Sequence, residues 1–220
     1  MTKAKSVDKD VSKKIFATTL IILVCVILIF GIKLLKGQNP IWAASTQMSH
    51  SKGSLQAPVK IIEYMDFQCP ACANGAHLLE NFINNNPDKF YLEVKYYPLD
   101  MHLHAMRAAR YAECAGRQGK FWPMYDLLFK EQSTWAPLLN AEPVFGEMTK
   151  TIKLDPKKLE QCLVDPTINN RILKDKEKGK TQEVKSTPTY FINNKMLVGT
   201  VNLEKELKSA LNNLVKPSAQ

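Results

Sequence analysis

Glycine and proline are scarce in this chain, 9 and 12 of 220 residues, which excludes collagen-like and low-complexity architectures. With only 5 cysteines it is not a knottin-like scaffold either. No internal repeat is visible. Also missing is the clustered stripe of Lys and Arg with interleaved aromatics that a phosphate-binding groove needs. The net charge of +9 looks basic until it is divided: residues 1–36 hold 7 Lys against 2 Asp, whereas residues 37–220 hold 23 Lys plus Arg against 19 acids. The remaining lysine run, residues 174–180, reads as a solvated helix face. Nucleic acid is therefore not expected as a partner. What is present, 45% hydrophobic and 23% charged residues, is the composition of an ordinary globular protein of one or two domains.

The leader indicates a compartment. Residues 15–32 form 18 consecutive uncharged positions, about 27 Å as a helix and close to the hydrocarbon thickness of a bilayer. Five lysines precede this segment and two follow it, so the positive-inside bias places the N-terminus in the cytoplasm and the rest outside. A cleaved signal peptide is the competing reading, but its apolar region is usually about 7 to 15 residues long and ends near a small-residue site. Here the nearest such residues, Ala43, Ala44 and Ser45, lie more than ten positions further on. Residues 38–58 are polar, show no apolar periodicity and read as a flexible tether.

Cys25 lies in the apolar segment, where it reads as a small hydrophobe. Cys69, Cys72, Cys114 and Cys162 remain for an oxidising compartment, which permits disulfides. Three pairings are formally possible. The C-x-x-C spacing puts Cys69 with Cys72 and leaves Cys114 and Cys162 for each other; two buried free thiols are the alternative. If joined, Cys114 and Cys162 close a loop of about 48 residues, worth roughly 4 kcal/mol in the chain-entropy picture.

The surroundings of the C-x-x-C favour redox chemistry. Residues 58–67 read P-V-K-I-I-E-Y-M-D-F, β-branched and aromatic on both faces, as in a covered central strand. A helical pattern follows, with Ala71, Gly75, Leu78, Leu79, Phe82 and Ile83 on one face. Asn84-Asn85-Asn86-Pro87 ends it. Cys69-Pro70-Ala71-Cys72 therefore opens a helix, with Pro70 at a position where its missing N–H costs nothing. Cys69 lies at the positive end of that helix, where the thiolate is favoured. Cys72, one turn further in, is expected to be buried and to act as the resolving thiol. A zinc half-site would need two more ligands, for which His102 and His104 are the only candidate pair, and there is no second C-x-x-C. An inert structural disulfide is the other bland reading.

Cys69-Pro70-Ala71-Cys72 preceded by Phe67-Gln68, together with Ser186-Thr187-Pro188-Thr189-Tyr190-Phe191-Ile192 and a long helical segment between them, resembles the DsbA-like thiol-disulfide oxidoreductases of the thioredoxin superfamily. The resemblance covers about residues 55–215. It implies an α/β fold, a thioredoxin domain interrupted by a helical insertion, here preceded by one N-terminal transmembrane helix. The expected layout is a cytoplasmic tail (1–14), a transmembrane anchor (15–36), a linker (37–55), a first thioredoxin-like part (56–100), the helical insertion (101–183) and a second thioredoxin-like part (184–216). The patterns agree with it. Residues 90–99 read as a β segment, and residues 189–193 and 196–200 as a hairpin turning at Asn193-Asn194-Lys195. Leu203, Leu207, Ala210, Leu211 and Leu214 line one face of a closing helix. Asp155-Pro156 and Asp165-Pro166 read as N-cap pairs.

By resemblance, Pro188 is the cis-proline against the active-site pair, and Thr187 presents backbone groups to an extended substrate segment. Glu63, six positions before Cys69, matches the buried acid beneath such sites and would accept a proton from Cys72. A surface glutamate is the alternative. His50, His77, His102 and His104 are expected at the surface, and Trp122 and Trp135 as core or groove aromatics. The function expected is extracytoplasmic disulfide exchange with exported cysteine-containing proteins, in the oxidase direction and without a cofactor. The resemblance implies a quinone-linked membrane oxidoreductase as the redox partner. Ala71 stands where the strongest oxidases have histidine, so an isomerase or reductase is the near alternative; a non-enzymatic holdase or metal-binding module is a more distant one.

Overall fold

A computed structural model describes residues 50–215, together with Leu23. The expected tail, anchor and most of the linker fall outside the described residues. Among the described residues no helix is long and apolar enough to cross a membrane.

Five strands, β1 (His50–Gly53), β2 (Val59–Met65), β3 (Phe90–Tyr96), β4 (Thr189–Ile192) and β5 (Lys195–Val198), form one sheet in the order β1-β3-β2-β4-β5. β2 and β3 run parallel, joined through helix α1 (Pro70–Asn85), and the other neighbouring pairs are antiparallel. A parallel pair needs such a crossover, and a strand covered on both faces reads as an almost unbroken apolar run. In β2 only Lys60 escapes burial. Between β3 and β4 lie six helices: α2 (Ala105–Gly116), α3 (Phe121–Lys130), α4 (Gln132–Trp135), α5 (Glu142–Thr151), α6 (Pro156–Val164) and α7 (Pro166–Thr181). Helix α8 (Leu203–Val215) follows the β4–β5 hairpin.

The alternation of β2 assigns its two faces. Tyr64 points toward α7, where a Cβ on Gly179 would sit 2.8 Å from the Tyr97 ring and 3.0 Å from Tyr64. Its hydroxyl donates to Gln182 Oε1 at 2.6 Å. Glu63 faces the other way. Its cross-strand neighbour Tyr190 reaches α1, where a Cβ on Gly75 would fall 2.0 Å from the tyrosine hydroxyl. Each helix thus approaches the sheet at a residue with no side chain to obstruct it.

Local signals explain most boundaries. Asp155 Oδ1 accepts the Lys157 and Lys158 N–H groups at 2.9 and 3.1 Å, and Asp165 Oδ1 accepts the Thr167 N–H at 2.8 Å; each is followed by proline at the start of its helix. The hairpin turns on Asn193 and Asn194, with φ of 46° and 74°, a conformation asparagine tolerates. Lys195, expected in the turn, belongs to β5 instead.

The linker expectation needs correction. His50–Gly53, placed in the tether, is an edge strand paired antiparallel with β3, from His50 opposite Val94 to Gly53 opposite Tyr91. His50 is buried, stacked on Phe121 with ring centroids 3.6 Å apart, and its Nε2 lies 2.7 Å from Glu113 Oε2. The Trp122 indole N–H donates to the Ser51 carbonyl at 3.2 Å. These partners lie dozens of residues away, so no local pattern announced the strand.

Cys114 of α2 and Cys162 of α6 are joined in a disulfide across a separation of 48 residues. Replacing both with alanine is expected to lower the stability of the protein by about 4 kcal/mol, the loop-closure entropy of that length. A fall in the guanidinium unfolding midpoint under non-reducing conditions, absent when wild type and variant are compared under reducing conditions, is the expected result.

Candidate active site

The site forms where β2 gives way to α1. Cys69 is the N-cap of α1, in extended conformation, and Pro70 is the first helical residue. The backbone of Cys69 is fixed from both sides: its N–H donates to the Asp66 carbonyl at 3.1 Å, and its carbonyl accepts the Cys72 N–H at 3.0 Å. Its sulfur therefore lies among the unpaired amides of a helix start, beside the positive end of the helix dipole. Both cysteines are free thiols.

Their environments push the two sulfurs apart. The Cys69 thiol is lowered to about 5, chiefly because the Cys72 thiol hydrogen-bonds to its sulfur, against burial. The backbone N–H groups of Cys72 and Ala71 lower it further. Cys72, fully buried, is raised well above the ordinary thiol range by desolvation, and then by the hydrogen bond to Cys69 and the nearby Cys69 and Glu63 charges. One proton is shared unequally, leaving a thiolate outside and a thiol inside.

Glu63 lies beneath the pair with no exposed surface. Burial raises its carboxyl to about 7, although Tyr125, Tyr190 and the charge of Lys52 pull the other way. Tyr125 of α3 donates to Glu63 Oε2 at 3.2 Å. Such a carboxyl can exchange a proton with a neighbouring thiol near neutrality. The Thr187–Pro188 peptide is cis, and the Cys69 thiol, when protonated, donates to the Thr187 carbonyl at 3.4 Å. All five expected site residues, Glu63, Cys69, Cys72, Thr187 and Pro188, thus border one site.

Gln132 and Asp66 were not singled out from the sequence, and Gln68 was noted only as part of the motif, without its contacts. Gln132 of α4, buried, donates through Nε2 to the carbonyls of Phe67 at 2.7 Å and Cys69 at 3.0 Å. Gln68 donates to the Ala136 carbonyl at 3.0 Å and accepts the His104 N–H at 2.6 Å. Asp66 is buried three positions before Cys69. An acid at a strand end and a glutamine directly before the first cysteine were the available signals, but only the packing of the helices shows what they hold. The histidines also need correction. His104 is buried, its Nε2 2.7 Å from the Leu138 carbonyl, and His102 Nδ1 lies 2.7 Å from Asp66 Oδ2. The pair that a zinc site would have used is therefore engaged separately, and no cluster of three metal-ligating side chains occurs among the described residues. His77 is exposed as expected, and Trp135 is buried in the core.

The family model for thioredoxin matches residues 45–213. The chain belongs to the thioredoxin family. Its structure is similar to that of Pseudomonas aeruginosa DsbA2, with 27% sequence identity, coverage of 80% of this chain and 100% of the other, and a TM-score of 0.64. It also resembles Bacillus subtilis BdbD in its oxidised form, at 20% identity, 74% and 93% coverage, and a TM-score of 0.64. Among sequences, a Na(+)/H(+) antiporter NhaA 1 of Salinispora arenicola is 33% identical over 156 residues, covering 70% of this chain and 23% of the antiporter. The chain thus spans about a quarter of the curated relatives it matches.

The two shifted acids give opposite slopes of stability with pH. Cys69 has a folded pKa of about 5, below its ordinary 9.0, so its contribution to the reduced protein is complete above about 9 and is lost as pH falls through 5. Glu63 is raised from 4.5 to about 7, so stability is highest below 4.5 in its account and declines as pH rises through 7. Urea unfolding of the reduced protein across this range is expected to lose the first slope in Cys69→Ala and the second in Glu63→Gln. The thiolate ultraviolet absorbance is expected to titrate near 5 and to vanish only in the cysteine variant.

Proposed function

We propose that the protein oxidises exported cysteine-containing proteins through the Cys69–Cys72 pair. The observation that carries this reading is the Cys69 sulfur held as a thiolate at the start of α1. A substrate thiolate attacks Cys69 of the oxidised pair, forming a mixed disulfide and expelling Cys72 as a thiolate. That sulfur, raised by burial, takes a proton from Glu63. A second substrate thiolate then attacks the substrate sulfur of the mixed disulfide and expels Cys69, a good leaving group because its thiolate is stable. The products are a substrate disulfide and the reduced enzyme, with Cys69 as thiolate and Cys72 as thiol, the two electrons having passed from the substrate sulfurs to the pair. Thr187, whose carbonyl borders the Cys69 sulfur, offers backbone groups to an extended substrate segment in the manner of strand addition.

Stabilising the reduced pair makes the disulfide more oxidising, which supports the oxidase direction over the reductase or isomerase alternative. A membrane redox partner, of the quinone-linked class that the family resemblance implies, reoxidises Cys69 and Cys72 in this scheme, with Glu63 then accepting the Cys72 proton. The proposed location is outside the cytoplasm, tethered by the apolar segment 15–32. The Cys114–Cys162 bond supports an oxidising compartment. A structural neighbour of 18% identity from Salmonella enterica serovar Typhimurium is titled a periplasmic thioredoxin-like protein.

Expressed in bacteria, Cys72→Ser is expected to accumulate mixed disulfides with exported proteins, visible on non-reducing gels, whereas Cys69→Ser is not; capture by neither variant would rule the exchange mechanism out. The measured reduction potential of the pair is expected to lie well above the roughly −270 mV of a reducing thioredoxin. Deleting residues 1–36 is expected to move the protein from the membrane fraction to the soluble one.

A further inference from the structure

The Asp66 carboxylate is fully enclosed, its side chain 0% exposed, and His102, 18% exposed, closes over it. Three donors converge on it. Oδ1 accepts the Gln68 N–H at 2.7 Å, and Oδ2 accepts the Leu99 N–H at 2.8 Å and the His102 Nδ1–H at 2.7 Å. Three hydrogen bonds on one short side chain leave the residue little freedom to rotate. That matters because the Asp66 backbone N–H is itself aimed at the active site, donating to Cys72 Sγ at 3.5 Å. Cys72 has otherwise few friends as an anion: it is buried beside Glu63 and the Cys69 thiolate. In the exchange cycle it must nevertheless carry the charge, both when a substrate expels it and when it attacks a mixed disulfide.

We propose that His102 is a positioning residue for the resolving cysteine, holding Asp66 so that the Asp66 N–H stays directed at the Cys72 sulfur while that sulfur is a thiolate. The inference rests on the exchange reading given above and extends it to a residue that touches neither cysteine. His102 acts through geometry: an N–H donor aimed at a forming anion stabilises it without having to reorganise during the step. Losing His102 leaves a buried carboxylate one donor short, and Asp66 turns to seek another. The Cys69 sulfur draws its stabilisation from Cys72 and the first amides of α1 and receives no hydrogen bond from the Asp66 N–H, so it feels this arrangement only at second hand.

Ellman's reagent separates the two sulfurs. Attack by Cys69 of the reduced protein releases one thionitrobenzoate and leaves a second in a mixed disulfide on Cys69; attack by Cys72 then releases the second and closes the Cys69–Cys72 disulfide. Stopped-flow absorbance reads both phases. His102→Ala is expected to slow the second phase about fivefold, the weight of one modest hydrogen bond, and to slow the first by less than about twofold. His102→Asn, whose side-chain amide can donate from the place of Nδ1–H, is expected to restore the second phase to within about twofold of wild type. An unchanged second phase in His102→Ala, an asparagine variant as slow as the alanine one, or equal slowing of both phases would each overturn the inference. A first phase in the unaltered protein no faster than that of an ordinary thiol would instead overturn the exchange reading on which it rests.

Discussion

The hydrogen bond from the Cys72 thiol to the Cys69 sulfur at the first turn of α1 is the interaction on which the rest of the site depends. It gives the outer sulfur the charge and the inner sulfur the proton. A helix start supplies the unpaired amides and the dipole that make the outer position favourable. The closed surroundings of the inner position make a second charge there expensive. Glu63, raised by desolvation to about 7, lies between these extremes and can hold or release a proton beside Cys72 at neutral pH.

The helices between β3 and β4 build this environment as well as covering the sheet. Tyr125 of α3 hydrogen-bonds Glu63, and Gln132 of α4 ties the carbonyls of Phe67 and of the first cysteine itself. The loop before α2 delivers His102 to Asp66 and His104 to Gln68. Trp135 and Phe145, packed edge to face with centroids 5.2 Å apart, anchor α4 against α5. The disulfide joins α2 to α6 through cysteines other than the reactive pair, so the stability of the insertion does not rest on bonds that the reaction breaks.

Much of the fold was legible because its signals are local. The unbroken apolar run of β2, the proline after Cys69, the aspartate-proline pairs at Asp155 and Asp165, and the asparagines at the hairpin each act within a few residues, and each marks the element it predicts. β1 was not legible. Three residues with polar side chains and a glycine became a strand because His50 found Glu113 and Phe121, and because β3 offered an unpaired edge. The histidines at 102 and 104 were misjudged for the same reason, since exposure is set by what packs over a residue.

Spacing and residue type by themselves determined that this chain carries a C-x-x-C at the mouth of a helix, with an acid six positions upstream and a Thr-Pro far downstream, because those relations lie in the order of the chain. Only the tertiary structure decided which sulfur is charged, that Glu63 is dry, and that Asp66 and His102 belong to the site. Charge and burial depend on the distances between groups, and those distances exist only once the sheet and the helices have closed around them.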